Sequence, residues 1–224
     1  LDVTNGALSG SAADLVLAFA GNVTTHAGDV TIEDVPNVTQ LKTINNSTTG
    51  SIVLSTAGQN YSGNAADLAV AFAGTINSSG DITINDAPNV AQLKTINAGT
   101  TGDITLDVTN GALSGSAADL VLAFAGNVTT HTGGVTITNA PNVTQLKTIN
   151  AATSGDITLD VTNGALSGSA ADLVLAFAGN VTTHTGGVTI TNAPNVTQLK
   201  TINAATTGDI TLDVTNGALS GSAA

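Results

Sequence analysis

The side chains able to do chemistry in this 224-residue chain are few in kind: three His, a set of Asp, and many Ser and Thr, with no Cys to ligate a metal or carry redox chemistry. His26, His131 and His184 each close an Asn-Val-Thr-Thr-His stretch, and one diverged copy of that stretch carries Ser78 and Ser79 instead. Imidazoles on adjacent stacked copies would stand roughly 10 Å apart, whereas a Zn–N bond is about 2 Å long. The expectation is therefore exposed turn histidines and no zinc site.

The aspartates make a better case. Asp107, Asp160 and Asp213 align with Asp2, and Asp103, Asp156 and Asp209 align with one another at a strand start. Calcium takes several oxygen ligands at about 2.3–2.6 Å, yet each copy offers its carboxylates singly, without a D-x-D-x-D-G loop or a GGxGxD repeat. These six side chains are candidates for diffuse binding of cations such as Ca2+, with no built cage and no other cofactor. Asp14, Asp67, Asp119 and Asp172 stand at capping positions and read as helix starts.

Outward Thr in T-x-T order, at Thr136 and Thr138 and again at Thr189 and Thr191, resembles the flat threonine arrays of ice-binding solenoids. The second Thr is Glu33 in the first copy and Asn85 in the second. Thr also favours strands in its own right. Nucleophilic catalysis has no foothold, because neither a Gly-x-Ser-x-Gly elbow nor a localised Ser/His/acid group occurs. The NGALSGS segment has no following Lys and is no phosphate loop. No catalytic or cofactor-binding residue is expected, and the chain does not read as an enzyme.

Every one of these candidates recurs, because the chain is a tandem array. The block LDVTNGALSGSAADLVLAFAG begins at Leu1, Leu106 and Leu159, its opening returns at Leu212, and a diverged copy starts at Leu54. The copies are 1–53, 54–105, 106–158, 159–211 and a partial 212–224, a period of 53 residues, or 52 in the second copy. Copies three and four differ only at Ser154 against Thr207. The second diverges most, reading Gln59, Asn60 and Tyr61 where the others are expected to have Asn, Gly and Ala. The first thirteen residues equal the last thirteen, and neither end shows the polar capping repeat that solenoids use. The expectation is a window of a longer array.

Each copy predicts two strand-helix units. In the third, Ile104, Leu106 and Val108 alternate with Thr105, Asp107 and Thr109, a strand pattern that Asn110-Gly111 ends. Ser116-Ala117-Ala118-Asp119 then starts a short helix, apolar nearly all round, that Gly126 stops. The second unit puts Val135 and Ile137 inward, then Pro141, then a capped helix with Val143, Leu146 and Ile149 on one stripe and Lys147 on its polar back, as for Lys42, Lys94 and Lys200. Strand to strand the units measure 31 and 22 residues. The predicted fold is α/β: a right-handed β/α solenoid with a parallel sheet on one side and short helices on the other. Two strands advance a sheet by only about 9.6 Å, while packed helices need about 8–10 Å each. Either the sheet curves strongly into a horseshoe or, as the all-round apolarity of LVLAFA favours, the apolar helix lies inside and the amphipathic one covers it. A coil with two separate sheets is the alternative.

Composition narrows the function. Sixteen acidic residues against four Lys give a net charge of −12, which opposes binding to nucleic acid or to an anionic membrane. Aromatics are 2% of residues, so the core must come from Ala, Val, Ile and Leu. The longest apolar run, Leu120 to Ala125, is far below the roughly 20 residues of a membrane span.

The blocks LSGSAADLVLAFAG and APNVTQLKTINAATSGDITL resemble the tandem repeats of giant surface proteins of marine cyanobacteria and related bacteria, including the large surface protein of swimming motility. That resemblance covers essentially the whole chain. It implies an extracellular location and a stalk, scaffold or adhesive role, with neighbouring repeats and further copies in fibres or layers as the partners. It implies no catalytic residues.

Overall fold

A computed structural model describes residues 6–21, 25–109 and 111–213. Asp2, Asn110 and the partial copy beyond Asp213 lie outside the described residues. Within them, the order strand, helix, strand, helix, strand occurs four times. The first set is β1 (Leu8–Gly10), α1 (Ala12–Ala18), β2 (Val30–Ile32), α2 (Val38–Ser47) and β3 (Ile52–Leu54). The second is β4 (Tyr61–Gly63), α3 (Ala65–Ala71), β5 (Ile82–Ile84), α4 (Val90–Ala98) and β6 (Ile104–Leu106). The third is β7 (Leu113–Gly115), α5 (Ala117–Ala123), β8 (Val135–Ile137), α6 (Val143–Ala152) and β9 (Ile157–Leu159). The fourth is β10 (Leu166–Gly168), α7 (Ala170–Ala176), β11 (Val188–Ile190), α8 (Val196–Ala205) and β12 (Ile210–Leu212).

The strands of each set pair in parallel in chain order. In the third, Leu113, Val135 and Ile157 stand in register, as do Ser114, Thr136 and Thr158. The α/β class is thus present, but the longer predicted unit carries two short strands where one was expected. Leu113 is buried at 2% exposure, and burying it holds Leu113–Gly115 extended directly before the Ser116 cap. Val135 consequently pairs with Leu113 and not with Ile104. The open side of Ile104 takes Val128 through a lone parallel bridge, as Ile52 takes Ile76 and Ile157 takes Val181. Four three-stranded sheets therefore replace the expected single sheet. Tyr61 also falls at the Leu position of its strand, in register with Ile82, and not at the Ala position.

The chain divides into two compact units, residues 1–109 with 123–129 and residues 110–122 with 130–224. In the first, α1 packs on α2, α2 on α3 and α3 on α4; in the second, α6 packs on α7 and α7 on α8. The two kinds of helix alternate side by side. The apolar kind is not enclosed, since Leu122 and Leu175 are each 54% exposed. Its inner face is nonetheless dry: Leu120, Ala123, Leu173 and Ala176 are fully buried.

Local chemistry sets where these helices begin and end. Ser116 Oγ accepts from the Asp119 amide at 3.1 Å, and Asn142 and Gln145 exchange bonds of 2.9 and 3.0 Å in a capping box. Past the apolar helices the chain turns at Gly21, Gly74, Gly126 and Gly179, with φ between 69 and 85°. That left-handed conformation is costly for any residue with a Cβ.

Contacts between successive coils are built from side chains that the repeat supplies once per copy. Thr153 is buried; its hydroxyl donates to the His131 carbonyl at 3.0 Å and accepts from the Gly155 amide at 3.0 Å. A Cβ on Gly155 would come within 2.1 Å of the Gly133 carbonyl oxygen, so the backbones meet without a side chain between them. Asn150 donates to the carbonyls of Leu175 and Ala178 at 2.9 and 2.6 Å, closing the end of the next helix. Lys147 and Asp172 pair beside it.

Replacing Thr153 by Val keeps the volume and strands the Gly155 amide, while the His131 carbonyl keeps the Ser154 amide at 2.8 Å. A loss of about 1–3 kcal/mol is expected, read as a lower urea midpoint, whereas Thr144→Val on the exposed helix face should change stability by under about 0.5 kcal/mol. Equal midpoints for the two variants would contradict this account of the coil contact.

Candidate functional site

The middle residue of each three-residue strand faces away from the core, so parallel register lines these residues up across the sheet. The rows are Ser62, Thr83, Thr105; Ser114, Thr136, Thr158; and Ser167, Thr189, Thr211. In the first sheet the row reads Ser9, Thr31, Val53. Neighbouring strands stand about 4.8 Å apart, which makes each row a short, regular hydroxyl ladder. The central Thr136 and Thr189 are half-buried between exposed neighbours.

Thr138 and Thr191 lie just past the strands, exposed, their amides bonded to the Gly115 and Gly168 carbonyls at 3.0 Å. Glu33 and Asn85 hold the same places in the first two sheets, through bonds to Gly10 and Gly63. The array thus runs across the strands more than along them. The T-x-T pattern finds its central Thr, while the Ser at one edge was missed because its strand was missed.

The six candidate aspartates are all exposed. Asp103 and Asp156 are clasps: each accepts from the side chain of an Asn on the next coil, Asn127 at 2.7 Å and Asn180 at 2.8 Å. Asp103 also donates its amide to the Asp81 carboxylate at 3.0 Å. Asp107, Asp160 and Asp213 follow their strands and donate backbone amides to Ile84, Ile137 and Ile190. Among the described residues no three His, Asp or Glu side chains converge on one point that could hold a metal ion. Asp14, Asp67, Asp119 and Asp172 sit at helix starts as expected. Asp67 and Asp172 have a second role, since Lys42 and Lys147 pair with them and, together with Asn64 and Ser169, hold their carboxyls below the usual range.

The histidines are where expectation and structure part most clearly. His26, His131 and His184 are buried, at 4, 2 and 2% exposure, and not exposed in turns. The bridges His26 to Thr48, His131 to Thr153 and His184 to Thr206 bring the chain inward, so each ring enters the space beside an apolar helix. His26 tilts against Phe19 at 6.0 Å and His184 against Phe177 at 5.9 Å. Burial lowers the pKa of His131 and His184, opposed more weakly by the backbone of Gly111 and Gly164. In His184 neither ring nitrogen reaches hydrogen-bonding geometry. Ser78, the counterpart of these histidines in the second copy, is buried too, and that copy holds an edge-on Tyr61–Phe72 pair at 5.3 Å.

Among the described residues this geometry brings together hydroxyl rows, Asp–Asn clasps and buried imidazoles. What it offers is a regular polar surface over a dry core. No protein family, no curated protein and no solved structure matches the chain.

The buried rings make stability depend on pH. Unfolded His titrates near about 6.5, and the fold depresses that value for His131 and His184, favouring the neutral ring. Their contribution is whole above about pH 6.5 and declines as pH falls toward the depressed values. The melting temperature should drop between pH 7.5 and 5.5, and the double variant His131→Gln/His184→Gln should drop less over that interval. An identical fall in both would contradict the assignment.

Proposed function

We propose that the chain is a structural segment of an extracellular bacterial surface protein or fibre, a stalk or scaffold whose length is set by repetition. The observation that carries this reading is that successive coils complete one another, Thr153 reaching back to the coil before and Asn150 and Lys147 forward to the coil after, while the outward positions are simple polar rows. In this reading the copies wind as one right-handed β/α solenoid with a 53-residue period. The chain is then no enzyme, and cations gather loosely along Asp103, Asp107, Asp156, Asp160, Asp209 and Asp213. No helix among the described residues is long and apolar enough to cross a membrane.

Repetition makes the reading testable, because nearest-neighbour coupling requires stability to rise with copy number. Arrays of two, four and eight copies should melt at successively higher temperatures, with the increment shrinking as the end copies become a smaller share. A melting temperature independent of copy number would refute the scaffold. Immunogold labelling of whole cells should place the chain on the outer surface or on fibres; label confined to the cytoplasm would refute the location.

The hydroxyl ladders favour a second reading, an adhesin or an ice- or ligand-binding face. Thr136→Lys/Thr138→Lys would break one ladder with a bulky charge, and it should abolish ice-crystal shaping or surface adhesion. Unchanged behaviour would leave the ladder a strand preference only.

A further inference from the structure

Among the described residues Asn163 is the one Asn followed by Gly, and packing holds that Gly in place. A Cβ on Gly164 would come within 2.6 Å of the Ala140 Cβ. Close approach of successive coils thus sets beside an Asn the residue that shields its own backbone nitrogen least. Asn and Gly are also the residues a turn of this kind selects, and Asn163 stands in the turn with its side chain exposed. No hydrogen bond to a described residue holds its carboxamide or the Gly164 amide. Neighbouring asparagines are held: Asn180 donates to Asp156 at 2.8 Å, Asn192 accepts from the Ala170 amide at 2.7 Å, and Asn195 accepts from the Gln198 amide at 2.9 Å. A β-branched Val follows Asn180 and Asn195 and screens the nitrogen behind it.

We propose that Asn163-Gly164 is a self-modifying turn, which deamidates through a cyclic imide with water as the only other reactant. The Gly164 nitrogen attacks Cγ of Asn163; the N–Cγ bond forms, the Cγ–Nδ2 bond breaks, and the Gly164 amide proton leaves with Nδ2 as ammonia. Water then opens the succinimide at either of its carbonyls. Opening at Cγ gives Asp, while opening at the backbone carbonyl gives isoaspartate, whose main chain runs through Cβ. Both products place a carboxylate on a coil contact. The Thr162 carbonyl accepts from the Thr185 and Gly186 amides at 2.8 and 3.1 Å, and the Thr185 hydroxyl donates to that of Thr162 at 3.1 Å. A Cβ on Gly186 would lie 2.6 Å from the carbonyl oxygens of both Asn163 and Gly164, so the backbones have no slack. The extra methylene of isoaspartate spreads this contact and loosens the coil. The same dipeptide recurs at Asn5, Asn110 and Asn216, outside the described residues, and the second copy has none. The inference uses the turn alone and is independent of the scaffold reading.

Ageing of the full chain tests it. Cleavage after Lys42, Lys94, Lys147 and Lys200 yields a segment 148–200 that carries Asn163 and a segment 43–94 that carries no Asn-Gly pair. After the folded chain is held at mildly alkaline pH and then digested in acid, segment 148–200 should show the mass gain of an amide-to-acid exchange at Asn163. An isoaspartyl-specific methyltransferase should label it there, and segment 43–94 should keep its amide mass. Asn163→Gln keeps the carboxamide but lengthens the side chain past five-membered ring closure, and should abolish the change at that position. Each measured against its own fresh sample, the wild type should lose more of its melting temperature on ageing than Asn163→Gln. A segment 148–200 that ages no faster than 43–94, a gain placed on Asn180 or Asn195 instead, or a gain seen only when the chain is aged in urea would each overturn the site. Equal losses of melting temperature in wild type and variant would overturn its effect on the coil contact.

Discussion

A three-residue strand cannot exist by itself, and every strand among the described residues is three residues long. Each therefore depends on the coil beside it for hydrogen bonds, and the repeat places polar groups where neighbouring coils meet. The buried Thr of each copy ties the preceding coil's backbone to its own, at Thr48, Thr100, Thr153 and Thr206. A glycine two residues later lets the backbones touch: a Cβ on Gly50, Gly102, Gly155 or Gly208 would lie 2.0 to 2.3 Å from a carbonyl oxygen of the coil before. A side chain there would push the coils apart and break the ladder. The narrow, nearly aromatic-free core follows from the same close approach, because Val, Ile, Leu and Ala fill a thin layer between closely stacked coils.

Helix ends are governed by the same dependence. The first amide of each apolar helix is satisfied by an Asp or Asn 21 or 22 residues ahead, Ala12 by Asp34, Ala65 by Asp86, Ala117 by Asn139 and Ala170 by Asn192. The carbonyls at the far ends of α3 and α7 are met by Asn45 and Asn150. Helices of seven residues are too short to be stable alone, yet here both ends are held by other coils. Stability is consequently shared between copies more than stored within one.

Much of this was legible in the sequence because it is local. The Asn142/Gln145 box, the Ser116 cap, the Gly126 stop and the inward Val135 and Ile137 all follow from spacing within a few residues. What was not legible depends on partners 20 to 28 residues away. Leu113–Gly115 is too short to show alternation and ends in Gly, so only its pairing with Val135 makes it a strand. Lys147 reads as a solvated back residue until α7 arrives beside it. His131 sits in a polar run of Thr and Gly, and nothing near it signals that the bridge to Thr153 turns its ring inward. Among the candidate site residues, the aspartates were placed correctly on the surface, but the Asn that clasps Asp103 or Asp156 comes from the next coil and has no local mark.

The second copy shows which of these features the fold requires. It has lost a residue and its histidine, and Ser78 keeps the inward bridge to Thr100 without any ring. Tyr61 stands in the adjacent strand where the other copies have Leu, and its ring meets Phe72 edge-on. Thr100, Gly102 and the Asn89/Gln92 box are all retained. The inward bridge is thus kept in a copy that carries no imidazole. The coil-to-coil polar contacts at Thr100 persist through this most divergent copy, so the fold depends on them more than on the ring.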